Sequence, residues 1–265
     1  MRMCSIASGS SGNCIYVGSD ATHLLIDAGI SGKRTEAGLE ELGISGRDLD
    51  GIFITHEHAD HISGLKVLAR KYEIPLYATR GTIDAVKKMK SGGEIDSDLW
   101  VEVKEDQRLT LKDLTVYPLR ISHDAAQPVA YRIGYGNRRV AVCTDLGEYN
   151  DYTVECLKGL DAILLEANHD VNMLQVGPYP YPLKQRILGK RGHLSNENSG
   201  RLLSRILHDG MKYISLGHLS QENNLPELAY EAVRMEITLG DNPYRAEDFQ
   251  IQVARRSEIS PVMEI

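Results

Sequence analysis

The segment His56-Glu57-His58-Ala59-Asp60-His61 brings three imidazoles and two carboxylates within six residues, directly after the apolar run Gly51-Ile52-Phe53-Ile54. His56 and His58, two apart, project to the same side of an extended or turn backbone and can grip one ion. Asp60 and His61, at the start of a following helix, can turn towards a second. Imidazole with carboxylate suits Zn, Mn or Fe rather than Ca or Mg alone. One segment cannot complete two coordination spheres, so other residues must contribute. The candidates are His123 after Leu119-Arg120-Ile121, Asp145 after Val140-Ala141-Val142-Cys143-Thr144, and His218 after Tyr213-Ile214-Ser215-Leu216. Each lies just past an apolar run, and that shared position predicts one sheet edge, where open α/β architectures build their sites. His23 and His208 fall inside an apparent strand and helix and read as structural or surface residues; His169 is left open.

The elements that must position these residues alternate along the chain. Asn13 to Val17 and His23 to Ile26, separated by Gly18-Ser19-Asp20, read as a hairpin. Helical spacing follows from about Lys33 to Leu42, from Leu65 to Tyr72 and from Gly81 to about Met89, with strand-like Pro75 to Ala78 between the last two. Strands are expected at Leu114–Tyr117, Val129–Ile133 and Arg138–Val142, the last two joined by a tight turn at Gly134-Tyr135-Gly136-Asn137. Ala162–Leu165 and Tyr213–Leu216 also read as strands. Asn196–His208 and Pro226–Leu239 read as helices, the second opened by Pro226 and closed by Gly240. The stretch from Asn168 to Gly192, rich in Pro, Tyr and Gly, reads as a loop too long for a plain connector and therefore as functional.

A chain of 265 residues with 42% hydrophobic residues can build the core of one large α/β domain, and a single domain over 1–265 is expected. No apolar stretch approaches the ~18 residues of a membrane span, and the start of the chain lacks the apolar segment of a signal peptide, so a cytoplasmic protein is expected. The cysteines Cys4, Cys14, Cys143 and Cys156 form no C-x-x-C pair and read as buried thiols of a reducing compartment. A net charge of −7 argues against coating nucleic acid with the whole surface, although bound metal can reverse the potential in one cleft.

The pattern H-x-H-x-D-H followed by His, Asp and His resembles the metallo-β-lactamase superfamily over essentially the whole chain. The resemblance implies an αββα sandwich with two divalent ions (Zn, Mn or Fe). His56, His58 and His123 would hold one ion, Asp60, His61 and His218 the other, and Asp145 would bridge them. Asp27, in Leu25-Ile26-Asp27-Ala28-Gly29, matches an earlier acidic position of the family and would brace the metal loop without binding metal. Secreted β-lactamases have Cys where this chain has Asp145. The chain after His218 is too short for the helical domain of glyoxalase II, and the His123–Asp145 interval is too short for the arm of ribonuclease Z. The Asp145–His218 interval likewise cannot hold a β-CASP insertion. Ser8-Gly9-Ser10-Ser11-Gly12-Asn13, Leu164-Leu165-Glu166-Ala167-Asn168-His169, Gly192-His193-Leu194-Ser195 and Gly217-His218-Leu219-Ser220 are similar to segments of the YycJ group, also called WalJ or VicX. That likeness implies a DNA exonuclease acting from the 5′ end.

Two metal ions can lower the pKa of a shared water and clamp the attacking and leaving oxygens of an in-line displacement, which suits phosphodiesters. Asp60 would help orient the nucleophile. His193 is the candidate acid for the leaving oxygen, because Gly192-His193-Leu194-Ser195 resembles the proton-donor segment of ribonuclease Z, with Glu166 as the residue that orients it. Lys184, Arg186, Lys190 and Arg191 either cradle a nucleic-acid backbone or form a solvated basic face. Ser10, Ser11 and Asn13 either present N–H groups to a phosphate or close a tight turn. Tyr179 and Tyr181 stack on bases or pack their own segment. Three functions compete: a nuclease on DNA more than RNA, a phosphodiesterase for small or cyclic nucleotides, and a non-catalytic regulator. Oligomeric state is not legible.

Overall fold

The computed structural model describes residues 1–89 and 95–265. It divides into two compact units. The first comprises Met1–Arg120, Ala125–Arg138 and Arg255–Ile265, and the second Ile121–Asp124 and Arg139–Ala254. Over the described residues the strands form two mixed sheets of seven. In chain order they are β1 (Arg2–Ala7), β2 (Cys14–Gly18), β3 (His23–Ile26), β4 (Gly51–Phe53), β5 (Leu76–Ala78), β6 (Trp100–Glu102) and β7 (Leu109–Leu111). They continue with β8 (Leu114–Arg120), β9 (Val129–Tyr135), β10 (Arg138–Cys143), β11 (Ala162–Glu166), β12 (Tyr213–Gly217), β13 (Gln250–Val253) and β14 (Met263–Glu264).

In the first unit one sheet runs β14-β1-β2-β3-β4-β5-β6. Its members β14 to β3 pair antiparallel, and β3 to β6 pair parallel, with Ile26 opposite Phe53. Parallel strands need crossover helices. Here these are α1 (Gly32–Glu41), α2 (Ala59–Ile62), α3 (Leu65–Tyr72) and α4 (Arg80–Lys88). Leu39 of α1, Leu65, Leu68 and Ala69 of α3, and Ile83 and Val86 of α4 share one buried cluster with Leu25, Ile52, Ile54 and Leu76 of the sheet region. Each fully buried Leu or Ile contributes about 1.5–3 kcal/mol. The unit also contains the antiparallel β7-β8-β9.

The second unit is built on β10-β11-β12-β13, all parallel, with Cys143, Leu165 and Leu216 in register. Its helices are α5 (Asp151–Leu157), α6 (Val171–Val176), α7 (Tyr181–Leu188), α8 (Asn196–Ile206) and α9 (Pro226–Leu239). Ser195 caps α8, its side chain accepting from the Asn198 N–H, and α9 opens on Pro226 and ends at Gly240 as expected.

Three expectations need correction. The stretch from Asn168 to Gly192 is not one loop but carries α6 and α7. Asp170 caps the first by accepting from the Met173 N–H, and proline in the first turn of the second costs no hydrogen bond. Cys156, in α5, is only half-buried, while the other three cysteines are buried. The turn after β9 is the pair Gly136-Asn137, tighter than expected, with Gly136 at φ 57°. No helix among the described residues is long and apolar enough to cross a membrane.

Candidate metal centre

In the first unit the parallel strands β3 and β4 deliver Asp27 and the histidine segment side by side. Asp27 follows β3 immediately and adopts φ 62°, in the left-handed region that costs an L-residue about 1–2 kcal/mol. Hydrogen bonds hold it there: its Oδ1 accepts from the Thr55 N–H at 2.8 Å, and its Oδ2 accepts from the Thr55 hydroxyl at 2.9 Å. Oδ2 also lies 2.7 Å from His61 Nδ1. A carboxylate only accepts, so Nδ1 of His61 carries the proton and Nε2 holds the lone pair. His56 Nδ1 lies 3.0 Å from Thr55 Oγ1. Because that hydroxyl spends its hydrogen on Asp27, it accepts from Nδ1–H, and Nε2 of His56 is likewise left as the donor atom for a metal. Buried Asp27 therefore sets the tautomer of two histidines, one directly and one through Thr55. Thr55 was not singled out in the sequence, although its place between strand and motif is where such a relay must sit.

The same segment is anchored by its backbone. Asp60 O accepts from the Asn13 N–H, and His61 O from the Ala28 N–H, both at 2.8 Å. Asn13 also places Nδ2 3.2 Å from His61 Nε2, and its Oδ1 accepts from the Gly9 N–H. Gly29 permits this approach: a Cβ there would lie 1.7 Å from Asp60 O, so alanine would have to displace the metal loop. The rings of His56 and His58 stand 4.6 Å apart and those of His56 and His61 4.1 Å. Asp60 Oδ2 is 3.5 Å from His61 Nε2.

In the second unit Asp145, Glu166 and His218 emerge from the ends of the neighbouring parallel strands β10, β11 and β12. Asp145 and His218 both adopt the left-handed region, at φ 58° and 54°. Strained residues at three strand ends, Asp27 among them, mark positions held for a function rather than for regular structure. His218 Nδ1 lies 2.9 Å from Asp145 Oδ2. His123 Nδ1 lies 3.1 Å from the Gly192 carbonyl, to which it donates, leaving Nε2 as the metal donor, 3.6 Å from Asp145 Oδ1. Asp145, Glu166, His193 and His218 offer ligand atoms all within 4.8 Å of one another.

His193 is held by Glu166, with Nδ1 2.7 Å from Oε1. The other carboxylate oxygen of Glu166 accepts from the Leu146 and Leu194 N–H groups at 2.8 and 3.2 Å. Burial, the largest influence on His193, disfavours its charged form. The charge and hydrogen bond of Glu166, with the charge of Asp145, outweigh it and raise the pKa to about 9. His169, left open by the sequence, is buried with its pKa lowered to about 4, first by desolvation, and stays neutral. His23 meets the Tyr16 hydroxyl and His208 the Leu160 carbonyl, both in structural settings.

The basic candidates are engaged locally. Lys184 donates to the Gln175 and Gly177 carbonyls, closing α6. Arg186 pairs with Asp124 through two nitrogens, and Arg191 donates to the His123 carbonyl. Ser10 and Ser11 are exposed.

The donor chemistry fits divalent ions. Histidines whose Nδ1 protons are committed to Asp27, Thr55 or a carbonyl present Nε2 lone pairs, and the fully buried Asp145 and Glu166 carboxylates call for nearby positive charge.

Known proteins match this arrangement. A beta-lactamase superfamily domain is recognised over residues 22–211. The chain is 43% identical over 228 residues to exodeoxyribonuclease YycJ of Bacillus anthracis, covering 86% of each chain. It is 40% identical over 260 residues to exodeoxyribonuclease WalJ of Streptococcus pneumoniae strain D39, covering 98% of this chain and 96% of that one. Among solved structures it is similar to YhfI, a metallo-beta-lactamase fold protein from Bacillus subtilis, with TM-score 0.69 and 20% identity over 98% of both chains. That likeness establishes the fold as α/β, two mixed sheets flanked by helices, consistent with the αββα sandwich.

Proposed function

The chain belongs to the metallo-β-lactamase superfamily, with YycJ and WalJ among its relatives, and on that premise we propose that it is a dinuclear metal-dependent phosphodiester hydrolase degrading DNA from the 5′ end. The observation that carries the reading is the His193–Glu166 pair, with Nδ1 2.7 Å from Oε1, within a cluster of candidate metal-ligand residues that includes Asp145.

In this reading His56, His58 and His123 would hold one ion, Asp60, His61 and His218 would hold the other, and Asp145 would be shared; zinc, manganese and iron all suit this set. When bound, such ions acidify a shared water and neutralise charge on the phosphoryl oxygens. The chain's own residues do the rest. Asp60 orients the attacking water, and His193 gives its Nε2 proton to the leaving oxygen. Glu166 keeps the imidazolium in place through Nδ1 and is itself fixed by two backbone N–H groups. The exposed Ser10 and Ser11, on the loop that Asn13 ties to the metal segment, and the basic side chains Lys184, Arg186 and Arg191 are the groups offered to a DNA backbone, in a cytoplasmic enzyme. The names of the relatives support DNA over RNA: two that match over most of their length are named exodeoxyribonucleases.

The test is incubation of metal-replete protein with end-labelled single- and double-stranded DNA and RNA, beside bis-p-nitrophenyl phosphate and cyclic nucleotides. Stepwise release of nucleotides from DNA is the expected result. Turnover of cyclic nucleotides with DNA untouched would replace this reading with a small-molecule phosphodiesterase.

The tautomer relay makes a separate prediction. Asp27→Ala should weaken metal binding by about 10–100-fold, as losses behind the ligands do. Thr55→Val, which removes the hydroxyl between Asp27 and His56 but leaves the direct Asp27–His61 contact, should lie between wild type and Asp27→Ala. Competition with a chelator measures both, and an unchanged affinity in Asp27→Ala would remove its bracing role.

A further inference from the structure

A second feature of the first unit lies outside the metal-ligand residues. The end of β1, the start of α1 and the segment Arg255–Ile259 enclose a cavity of about 330 Å³, with Ile6, Ile30 and Ile259 as its apolar lining and Arg34 and Arg255 among its charged residues. Arg255 is fixed against the serine–glycine loop, since its carbonyl accepts from the Ser8 N–H at 3.2 Å. The next residue, Arg256, donates from Nη1 to Ser10 Oγ at 3.4 Å. The same loop ends at Asn13, which touches His61 and the Asp60 backbone. An exposed hydroxyl on a loop that is hydrogen-bonded to the metal segment thus meets a guanidinium from the Arg255–Ile259 segment, with a half-apolar cavity beside them. Arg34, Arg255 and Arg256, set against Glu41 and Glu258, leave this corner of an acidic chain with net positive charge.

We infer that this corner is a nucleotide subsite: Arg256 and Ser10 hold a backbone phosphate of the substrate strand away from the scissile bond, and the adjoining cavity takes the neighbouring nucleoside. The inference rests on the reading of the centre as a nuclease. Guanidinium with hydroxyl is the donor pair that a phosphate oxygen requires, and the isoleucine lining offers a base an apolar surface. A contact remote from the reacting phosphorus serves to place the strand, so Arg256 is a positioning residue.

The experiment measures binding of a fluorescent, fully phosphorothioate single-stranded oligodeoxynucleotide to metal-replete protein across a salt series, beside hydrolysis of bis-p-nitrophenyl phosphate and of ordinary DNA. Arg256→Ala should weaken oligonucleotide binding about tenfold and reduce the salt slope by about 0.7, with Arg256→Lys recovering the slope. Ala37→Leu, from an exposed cavity-lining position on α1, should weaken binding without changing the slope. Both variants should hydrolyse the small ester as wild type does. Unchanged binding in either variant, or equal loss on the small ester, overturns the subsite. If both variants lose binding while the wild type leaves ordinary DNA intact, the subsite stands and the nuclease reading falls. If the wild type does not bind the oligonucleotide, both fall.

Discussion

Asp145→Ala should abolish phosphodiester hydrolysis in a chain that stays folded, and His61→Ala should do the same. Asp145 is the one carboxylate assigned to both ions, and it stands at the end of β10 at φ 58°, a conformation that alanine has less reason to keep. Its loss removes the ligand that couples the two ions and the carboxylate oxygen that lies 2.9 Å from His218 Nδ1. His61 belongs to the Asp27–Thr55 relay, so its loss empties one coordination position and leaves the buried Asp27 carboxylate one partner short. The apolar cluster beneath the sheet contains neither residue, and far-ultraviolet circular dichroism should therefore be unchanged. Measurable turnover by either variant at saturating metal would refute the ligand assignment.

His193→Ala should keep its metals yet slow cleavage of DNA by about 10²–10⁴-fold, the usual worth of a positioned acid. The effect must depend on the leaving group. A nucleoside alkoxide needs a proton, whereas p-nitrophenolate departs without one, so bis-p-nitrophenyl phosphate should lose far less. Glu166→Gln should reproduce part of the defect, because the amide cannot supply the negative charge that holds His193 protonated. Loss of metal from His193→Ala, or equal slowing of both substrates, would make His193 a ligand or a structural residue instead.

What could be read from residues alone was the chemistry at strand ends. An apolar run followed by His or Asp is visible in sequence, and Asp145 and His218 stand past the ends of β10 and β12 in one parallel sheet, whereas Glu166, at the end of β11 between them, was suggested only by the family resemblance. Backbone conformation was not legible. Aspartate and histidine enter the left-handed region more often than most residues, but only a small minority of them do, so nothing in the sequence marks Asp27, Asp145 and His218 as the ones with positive φ. Thr55 escaped notice because its role depends on which way a hydroxyl hydrogen points. Helices α6 and α7 were hidden by composition: a stretch rich in Pro, Tyr and Gly reads as loop, although proline in a first turn, as at Pro182, is a start signal. β1 was missed because Ser5, buried in its middle, interrupts an otherwise apolar pattern. The relation between Lys184 and the carbonyls of α6 could not be foreseen while α6 itself was read as loop.

The central claim is a phosphodiester hydrolase that works through two ions, and activity measured against metal equivalents tests it most directly. Metal-stripped protein should be inactive towards DNA, and activity should climb until two equivalents of zinc or manganese per chain have been added. Activity that persists without metal, or that is complete at one equivalent, would contradict the account.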